Sequence, residues 1–343
     1  MSNLVELVSG GIDYISESEP NGDDGEFWAK VESETASADS ESWSHELHAN
    51  TLTTVHESDG VVYSGSFDDT VRAVDADDGS EIWTHHLHTS TVNGVHESDG
   101  WVYSGSADDE VRAVFADSGS HIWAHSLHSN TVYDVHASNG MVYSVSFDET
   151  VKAADAGDGS EIWSHSLHSD AVESVYESDG VVYSGSRDDT VKAVDADDGS
   201  EIWTHDLHTS SVISVHESDG VVYSGAHDDT VRAYDPEHDF EIWSHSLHSS
   251  SVGSLHESDG VVYSGSAGDE TLRAVDADDG SEIWTHELHS GDVYGVHASN
   301  GVVYSGSSDN TVKAVPHDSD GRVTVYSLDE ILVNWNDTWV SHT

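Results

Sequence analysis

The histidines of this sequence are its strongest candidates for chemistry, because a neutral imidazole binds metal ions and transfers protons near neutral pH. Of 26 histidines, 20 recur in three series at a spacing of 40 or 41 residues. The three series, with Tyr176 filling one place of the third, are His48, His88, His128, His168, His208, His248 and His289; His45, His85, His125, His165, His205, His245 and His286; and His56, His96, His136, His216, His256 and His297. A metal ring or a catalytic site needs its groups at one point, whereas a repeated residue is dispersed around an array. We therefore expect these histidines to be structural.

The turn "DADDGSE", which begins at Asp75, offers a second kind of ligand. Asp75, Asp77 and Asp78 carry hard carboxylate oxygens beside a glycine that permits a sharp turn, which suits Ca²⁺ or Mg²⁺. Their spacing differs from that of an EF-hand loop, and β-turns favour the same residues without a metal. We predict no cofactor and no dedicated metal site. Cations held at the acidic surface remain a hypothesis, with these three aspartates as the candidates.

Several enzyme classes are excluded or disfavoured. The chain has no cysteine, so it has no thiolate nucleophile, zinc-thiolate site or disulfide. It also lacks a glycine-rich phosphate loop and a nucleophile elbow. Every serine, histidine and aspartate that could form a triad belongs to a repeat, whereas an enzyme builds one asymmetric site. We predict that the protein is not an enzyme and has no catalytic residues.

The charge of the chain is extreme and one-sided. Its 343 residues include 10 Lys and Arg against 67 Asp and Glu, a formal charge of -57. Self-repulsion of this size strains a compact fold in dilute buffer, but at molar salt the Debye length of about 3 Å screens it. We predict a halophilic protein. Without a basic patch, binding to nucleic acid or to an anionic membrane is not expected.

A repeat of about 40 residues organises the chain. Each unit reads as four short strands with Asp-Gly turns, as in strands a to d beginning at Thr91, Trp101, Val111 and His121. The tryptophan that marks the repeat occurs at Trp43, Trp83, Trp123, Trp163, Trp203, Trp243 and Trp284. A period of this length made of β-rich runs predicts an all-β, seven-bladed β-propeller with four antiparallel strands per blade.

The order of the repeats predicts how the ring closes. A d-type segment, "ESWSHEL" at residues 41–47, precedes the first strand a, and no full copy follows the last strand c. We expect residues 41–47 to complete the seventh blade, which leaves no open edge. The segment "DGRVTVYSL" from Asp320 is the alternative. The predicted parts are an N-terminal extension (1–40), the propeller (41–321) and a C-terminal extension (322–343).

Two families share motifs with these units. The segment "LHTSTVNGVHESDG" resembles WD-repeat propellers, with His88 at their Gly-His position and Asp68 at their hairpin aspartate. The tryptophan of their Trp-Asp pair is replaced, for example by Val74. The resemblance implies that the first histidine series bonds to Asp68, Asp108, Asp148, Asp188, Asp228, Asp269 and Asp309.

The segment "AVDADDGSEIW", residues 73–83, resembles the tryptophan-docking motif of quinoprotein-like (PQQ-type) propellers. Ala73, Asp75, Gly79 and Trp83 match that motif, and Asp78 replaces its usual threonine. The resemblance implies that each tryptophan of the series is buried against the backbone of a docking motif and the next blade. Both resemblances specify a propeller, and neither specifies a function.

The residues that differ between repeats collect at one end of the blades. The a–b and c–d turns are nearly uniform, whereas the b–c tips and the d–a connections vary. The tips carry Phe67, Ala107, Phe147, Arg187, His227, Ala267 and Ser308. Exposed aromatic and arginine side chains are typical interface anchors. We predict that this end binds a partner through Phe67, Phe147, Arg187 and His227; drift at tolerant loop tips is the alternative.

The leading hypothesis is a non-enzymatic, halophilic interaction module within a larger assembly, with a protein or a cell-surface glycan as its partner. One such assembly is the virion of a haloarchaeal virus, where the protein would decorate the surface or attach to the host. The alternatives are a WD-repeat-like scaffold in the cytoplasm of a salt-in halophile and a quinoprotein-like oxidoreductase. The start of the chain lacks a basic region and a long apolar run, so we expect no signal peptide and no membrane insertion.

The two ends of the chain carry tryptophans outside the repeats. The segments "SEPNGDDGEFWAKVES" and "LVNWNDTWVSHT" resemble short segments of tail, fibre and decoration proteins of tailed viruses. The resemblance implies that Trp28, Trp335 and Trp339 anchor terminal segments on a larger assembly. Packing on the edge of the propeller itself is the alternative.

Overall fold

The computed structural model describes residues 41–316 with their side chains, and outside this range it describes the backbone of five strands: Ala29–Lys30, Glu34–Thr35, Tyr326–Ser327, Ile331–Trp335 and Thr338–His342. The chain divides into two compact units, residues 1–34 with 326–343, and residues 35–325. No helix in the described part of the chain is both long and apolar enough to cross a membrane.

The smaller unit contains a three-stranded antiparallel sheet. Its strands lie in the order Ala29–Lys30, Ile331–Trp335 and Thr338–His342. Trp335 and Trp339 therefore lie on neighbouring strands of this sheet, and Trp28 lies outside the described residues. Their predicted role as anchors stays a prediction.

The larger unit is a seven-bladed β-propeller, as the repeat predicts, and each blade is an antiparallel sheet in the order a-b-c-d. The a strands are Leu52–Ser58, Val92–Ser98, Val132–Ser138, Val172–Ser178, Val212–Ser218, Ser251–Ser258 and Val293–Ser299. The b strands are Val61–Ser66, Trp101–Ser106, Met141–Ser146, Val181–Ser186, Val221–Ala226, Val261–Ala267 and Val302–Ser307. The c strands are Thr70–Asp75, Val111–Phe115, Val151–Asp155, Val191–Asp195, Val231–Asp235, Leu272–Asp276 and Thr311–Pro316. The d strands are Glu81–His86, His121–His125, Glu161–His165, Glu201–His205, Phe240–His245, Glu282–His286 and, from the start of the chain, Trp43–Glu46.

The sequence of each unit explains its hairpins and its core. Asp59 and Gly60 connect strands a and b with φ values of 50° and 79°, and a two-residue hairpin of this kind needs positive φ at both positions. Strand b is buried along almost its whole length, as "VVYSGS" from Val61 shows. Both of its faces pack against neighbouring blades, so apolar and small residues fill it without a strict polar alternation.

The ring closes through its N-terminal strand, as predicted. Trp43 pairs with Ala314 and Glu46 pairs with Thr311, so Trp43–Glu46 is strand d of the seventh blade. The backbone amide of Ser42 donates to the carbonyl of Ala314 at 2.7 Å. The alternative closure from Asp320 is therefore not the one adopted.

Candidate functional site

In five of the seven blades, the tryptophan and the histidine of strand d both bond to backbone carbonyls of the next blade. Trp163 is 7% exposed, and its Nε1 donates to the carbonyl of Ala196 in the next blade at 2.9 Å. Nε2 of His165 bonds to the carbonyl of Asp198 at 3.0 Å. Gly199 lies beneath both rings with a φ of 70°, and a Cβ there would come within 2.4 Å of His165. The second histidine series is therefore part of the blade interfaces.

One of these interfaces departs from the pattern. Asp239 takes the place of the glycine, with a φ of 54°. The hydroxyl of Tyr234 donates to Asp239 Oδ1 at 2.5 Å and is also hydrogen-bonded to His205 Nε2 at 2.8 Å. At the equivalent Gly199 a Cβ would lie 2.4 Å from His165 and 2.9 Å from Trp163. The Cβ of Asp239 therefore keeps Trp203 from packing as closely, while the side chain of Asp239 is 80% exposed. The tryptophan series is buried except at this position, where Trp203 is half-buried.

The first histidine series forms a hydrogen-bond network in every blade. His48 Nδ1 lies 3.2 Å from both carboxylate oxygens of Asp68, and its Nε2 lies 2.9 Å from Ser64 Oγ. Thr70 Oγ1 donates to Asp68 at 2.5 Å. Burial alone would raise the pKa of Asp68, but the hydrogen bonds from His48 and Thr70 outweigh it and hold that pKa well below the ordinary value. The equivalent pair His88 and Asp108 lies at 3.1 Å.

The third histidine series meets around the centre of the ring. Neighbouring ring centroids lie 4.1–4.6 Å apart and the circle is closed. These seven side chains, called the histidine belt, are His56, His96, His136, Tyr176, His216, His256 and His297. The expectation that repeated histidines are dispersed is wrong for this series, because the a strands of neighbouring blades contact one another and bring equivalent positions together.

The belt histidines are held in the neutral form. Burial lowers the pKa of His56 to about 4, and it lowers the pKa values of His136 and His216 to about 3. Burial also lowers the pKa of His96 well below its ordinary value, and the neighbouring imidazoles add to this shift because a second positive charge would be repelled.

Hydrogen bonds from the backbone fix the tautomer of two belt histidines. The amide of Ala137 donates to His96 Nδ1 at 3.3 Å, and the amide of Ala298 donates to His256 Nδ1 at 3.4 Å. A neutral imidazole that accepts at Nδ1 carries its proton on Nε2, so neither nitrogen offers a free lone pair to a metal ion. These two histidines therefore suit packing better than metal coordination.

The acidic turns use their carboxylates locally. Asp75 Oδ1 accepts the amide of Asp77, and Asp78 Oδ1 accepts the amide of Ser80, both at 2.9 Å. The three predicted ligands Asp75, Asp77 and Asp78 are not among the described side chains whose ligand atoms cluster closely enough for a metal ion. Their geometry is that of Asx-type turns, which need no ion.

Among the described residues, one cluster of three side chains has its ligand atoms close enough together for a metal ion. These side chains are already bonded to other groups. His88, Asp108 and Glu110 bring their ligand atoms within 4.8 Å of one another. However, His88 and Asp108 bond to each other as in every blade, and Glu110 accepts from Arg112 Nε at 2.9 Å. The cluster is thus explained by internal pairing.

A cavity of about 370 Å³ opens at the b–c and d–a end of the propeller. The tip residues Phe67, Arg187 and His227 line it. It is also lined by the residue that stands three positions before the belt residue on each strand a, called the mouth position. The seven mouth positions are Thr53, Asn93, Tyr133, Glu173, Ile213, Gly253 and Tyr294. This mouth cavity is asymmetric, because six residue types fill its seven equivalent places.

A polar cluster occupies the mouth cavity at blades 3 and 4. Arg187 Nη2 donates to the hydroxyl of Tyr133 at 2.8 Å, and Arg187 Nε donates to Glu173. The guanidinium lies over the rings of Tyr133 and Phe147, 5.2 and 5.4 Å from their centroids. Burial raises the pKa of Glu173, although the pair with Arg187 opposes that shift.

The lining of the cavity contains a further carboxyl, which is bonded to two backbone amides. Asp134 Oδ1 accepts the amide of Val135 at 2.8 Å, and Oδ2 accepts the amide of Val175 at 3.0 Å. In later blades a serine such as Ser174 accepts a single amide across the blade interface. The preceding blade has Gly94 at this position, which has no acceptor to offer, so Asp134 bonds to two amides. Burial raises the pKa of Asp134 to about 7.

Comparisons with known proteins agree with this architecture. A family model described as outer membrane protein assembly factor BamB matches residues 67–187 and 187–341. The chain belongs to this BamB-like family. A search of curated proteins finds no significant match.

Solved propellers resemble this BamB-like chain over most of its length. The WD40 β-propeller domain of Doa1 is 25% identical, with a TM-score of 0.71 over 80% of this chain and 95% of that chain. The computationally designed Ika8 protein is 26% identical, with a TM-score of 0.63 over 78% of this chain and 96% of that chain. A fold shared with a designed protein does not by itself indicate a function.

The predicted partner residues lie at one end of this BamB-like propeller. Three of them are exposed, and the fourth is hydrogen-bonded to its neighbours. Phe67 and Phe147 are 50% and 43% exposed, and His227 is also exposed. Arg187 is instead held by Glu173 and Tyr133. The mouth position was not predicted from the sequence. Its residue type varies from repeat to repeat, whereas the belt residue three positions later is nearly constant, and this contrast could have indicated a binding surface.

Proposed function

We propose that this BamB-like propeller is a non-enzymatic interaction module that binds its partner through the b–c and d–a end. One observation carries the proposal. The hydrogen-bond networks, the strand-d tryptophans and the histidine belt recur around the ring, whereas the mouth positions and the tips differ from blade to blade. All seven mouth positions and three of the tips line one cavity. Residues that only build the ring have no reason to differ there, while a partner contacts a particular set of side chains.

The proposal includes a larger assembly in which the module acts. The matching family is described as an assembly factor, which names a role in bringing components together. In the BamB-like chain a protein or a cell-surface glycan is the partner of the tip end, and the terminal segments attach the propeller to the assembly. A virion decoration or host-attachment protein is the specific assembly that we propose, with a cytoplasmic scaffold of the host as the alternative.

The proposed surroundings of the protein are concentrated brine, in a virion or in the cytoplasm of a salt-in halophile. The formal charge of -57 supports this setting. In brine, charge–charge attraction is screened, so apolar and hydrogen-bonded contacts contribute most of the binding. Phe67 and Phe147, which expose about half of their surface, provide such contacts.

Site-specific photo-crosslinking tests which end binds. A benzophenone amino acid is placed at position 67 on the tip end and, as a matched control, at position 115 on the opposite end, where Phe115 is 44% exposed. Both proteins are irradiated with cell envelopes of a halophilic host at high salt. A crosslinked product from position 67 and not from position 115 is expected. Equal yields from both positions, or a product from position 115 alone, would contradict the proposal.

A further inference from the structure

The mouth cavity contains the described propeller's clearest break in symmetry. Within residues 41–316, the other basic side chains all occupy one repeated place on strand c, such as Arg72, and Arg187 alone lies elsewhere. It joins Tyr133, Phe147 and Glu173 in a single cluster at the edge of the cavity. The other blades fold without such a cluster, so the cluster is not required for the folding of a blade.

A cationic ligand is disfavoured in this cavity. Aromatic faces beside a carboxylate attract cations, but the chain supplies its own cation there. Arg187 covers the rings of Tyr133 and Phe147 and pairs with Glu173. A second cation would have to displace a guanidinium that holds two hydrogen bonds.

An anionic ligand is disfavoured as well. The positive charge of Arg187 is already paired with Glu173, whose side chain is only 10% exposed. Arg187 is the one arginine or lysine in the lining of the cavity. An anion would therefore find no unpaired guanidinium or ammonium group there.

A neutral ligand with hydroxyl groups fits what remains. The side chain of Arg187 is 38% exposed. Its Nη1 takes part in neither the bond to Glu173 nor the bond to Tyr133, so the N–H groups of Nη1 are donors for a ligand. The second oxygen of Glu173 and the hydroxyl of Tyr133 offer acceptors. Phe67 and Ile213 add apolar surface to the same lining. Paired donors and acceptors bind adjacent hydroxyls, while an aromatic face packs against the C–H face of a sugar ring.

Building on the proposed function, we propose that the mouth cavity binds a neutral sugar, held by Arg187 and Glu173 through its hydroxyls and by Phe67 through its apolar face. The volume of about 370 Å³ lies at the lower end of the usual range for ligand sites. It therefore suits one or two sugar rings, such as the end of a surface glycan. This identifies the partner of the tip end as a carbohydrate.

Titration calorimetry and saturation-transfer NMR at high salt test the proposal. The probes are methyl α-mannoside, methyl β-glucoside, methyl β-galactoside and N-acetylglucosamine, with glucuronate and choline as charged probes. At least one neutral probe is expected to bind, and both charged probes are expected to bind at least ten-fold more weakly. Absence of binding by all four neutral probes, or tighter binding of a charged probe, would overturn the proposal.

Three variants locate the site. Phe67→Ser and Glu173→Gln should each weaken binding of the neutral probe at least five-fold, while Phe115→Ser, a matched change at the opposite end, should leave it unchanged. Circular dichroism at high salt checks that Glu173→Gln folds, and the exposed Phe67 provides a variant that does not depend on this check. Unchanged binding by a folded Glu173→Gln and by Phe67→Ser would place the sugar elsewhere and overturn the proposal. Crosslinking of a protein from position 67 without any sugar binding would overturn this inference and leave the interaction module standing.

Discussion

At the scale of single residues, the strand-d tryptophan with its bond to the next blade, called the tryptophan latch, should contribute strongly to the stability of a blade interface. Trp163 is 7% exposed and donates a hydrogen bond to the next blade. Trp163→Ala should reduce the free energy of unfolding by about 3–5 kcal/mol, because contacts are lost and a cavity remains. The neighbouring Ile162 is 48% exposed, and Ile162→Ala should change stability by about 0.5 kcal/mol or less. Denaturant unfolding at high salt compares the two; equal stabilities of both variants would show that the latch carries little energy.

The histidine belt makes stability depend on pH in a definite direction. Its folded-state pKa values, about 3 for His136 and His216, lie below the value of about 6.5 for an unfolded histidine. The unfolded chain therefore binds more protons below pH 6.5, and the contribution of the belt, fully present above pH 6.5, is lost as pH falls towards 4. Asp134, with its pKa raised to about 7, and Glu173, whose pKa burial also raises, contribute in the opposite direction, but they are two groups against six belt histidines.

His136→Tyr tests the role of the belt, because Tyr176 already fills one belt position. The variant should flatten the dependence of unfolding free energy on pH between 6.5 and 4 by up to about 1.4 kcal/mol per pH unit, which is the effect of one proton. His86→Tyr, at an exposed position outside the belt, is the control and should leave the slope unchanged. Chemical unfolding at several pH values measures it. The same slope in His136→Tyr and the parent would show that the belt does not control the pH response.

Residue roles that follow from local motifs could be read from the sequence, and roles that depend on the centre of the ring could not. The spacing of His48 and Asp68 places them in one network because both flank a single hairpin. The belt depends instead on seven separate segments meeting, so its members are 40 or 41 residues apart and share no local motif. The cluster of Arg187, Glu173 and Tyr133 was missed for the same reason, since it joins two blades.

At the scale of elements, the strand Trp43–Glu46 holds the ring closed. Deleting residues 1–47 removes this strand and exposes the edge of Thr311–Pro316. The loss of Trp43 alone should cost about 3–5 kcal/mol, a large share of the usual 5–15 kcal/mol, so cooperative unfolding should be lost. Deleting residues 1–40 keeps the strand and should leave the thermal transition of the propeller intact. Calorimetry at high salt compares the two truncations, and a normal transition after deletion of 1–47 would contradict this closure.

Element boundaries followed from the sequence because turn chemistry marks them. Asp-Gly pairs such as Asp59 and Gly60 adopt the positive φ values that a tight hairpin needs. In the second blade, strands b, c and d begin at the predicted residues, and strand a begins one residue later than predicted, at Val92. The exception at Asp239 was harder to foresee. It lies against the strand-d tryptophan and histidine of the neighbouring blade, and Tyr234 bonds to both Asp239 and His205 there, which is a tertiary effect.

At the scale of the whole molecule, the charge should make the fold dependent on salt. Dialysis from multimolar to dilute salt raises the repulsion among the 67 acidic residues, since the Debye length grows from about 3 Å at 1 M to about 30 Å at 0.01 M. We expect the propeller to loosen or unfold, with the loss of its β-type circular dichroism and a lower melting temperature. A sharp thermal transition at the same temperature in both buffers would contradict the halophilic assignment.

We infer that the repeated residues build the ring and that the varied residues at one end bind a partner. Two double variants separate these roles most directly. Phe67→Ser with Phe147→Ser changes the tip end, and Phe115→Ser with Phe240→Ser changes exposed phenylalanines of similar accessibility at the opposite end.

Both double variants should fold, because each of these side chains is between 43% and 50% exposed. Binding of each purified protein to host cell envelopes is measured at high salt. The tip variant should bind more weakly by about 1–2 kcal/mol for each phenylalanine lost, and the opposite-end variant should bind like the parent. Binding retained by the tip variant and lost by the opposite-end variant would contradict the claim.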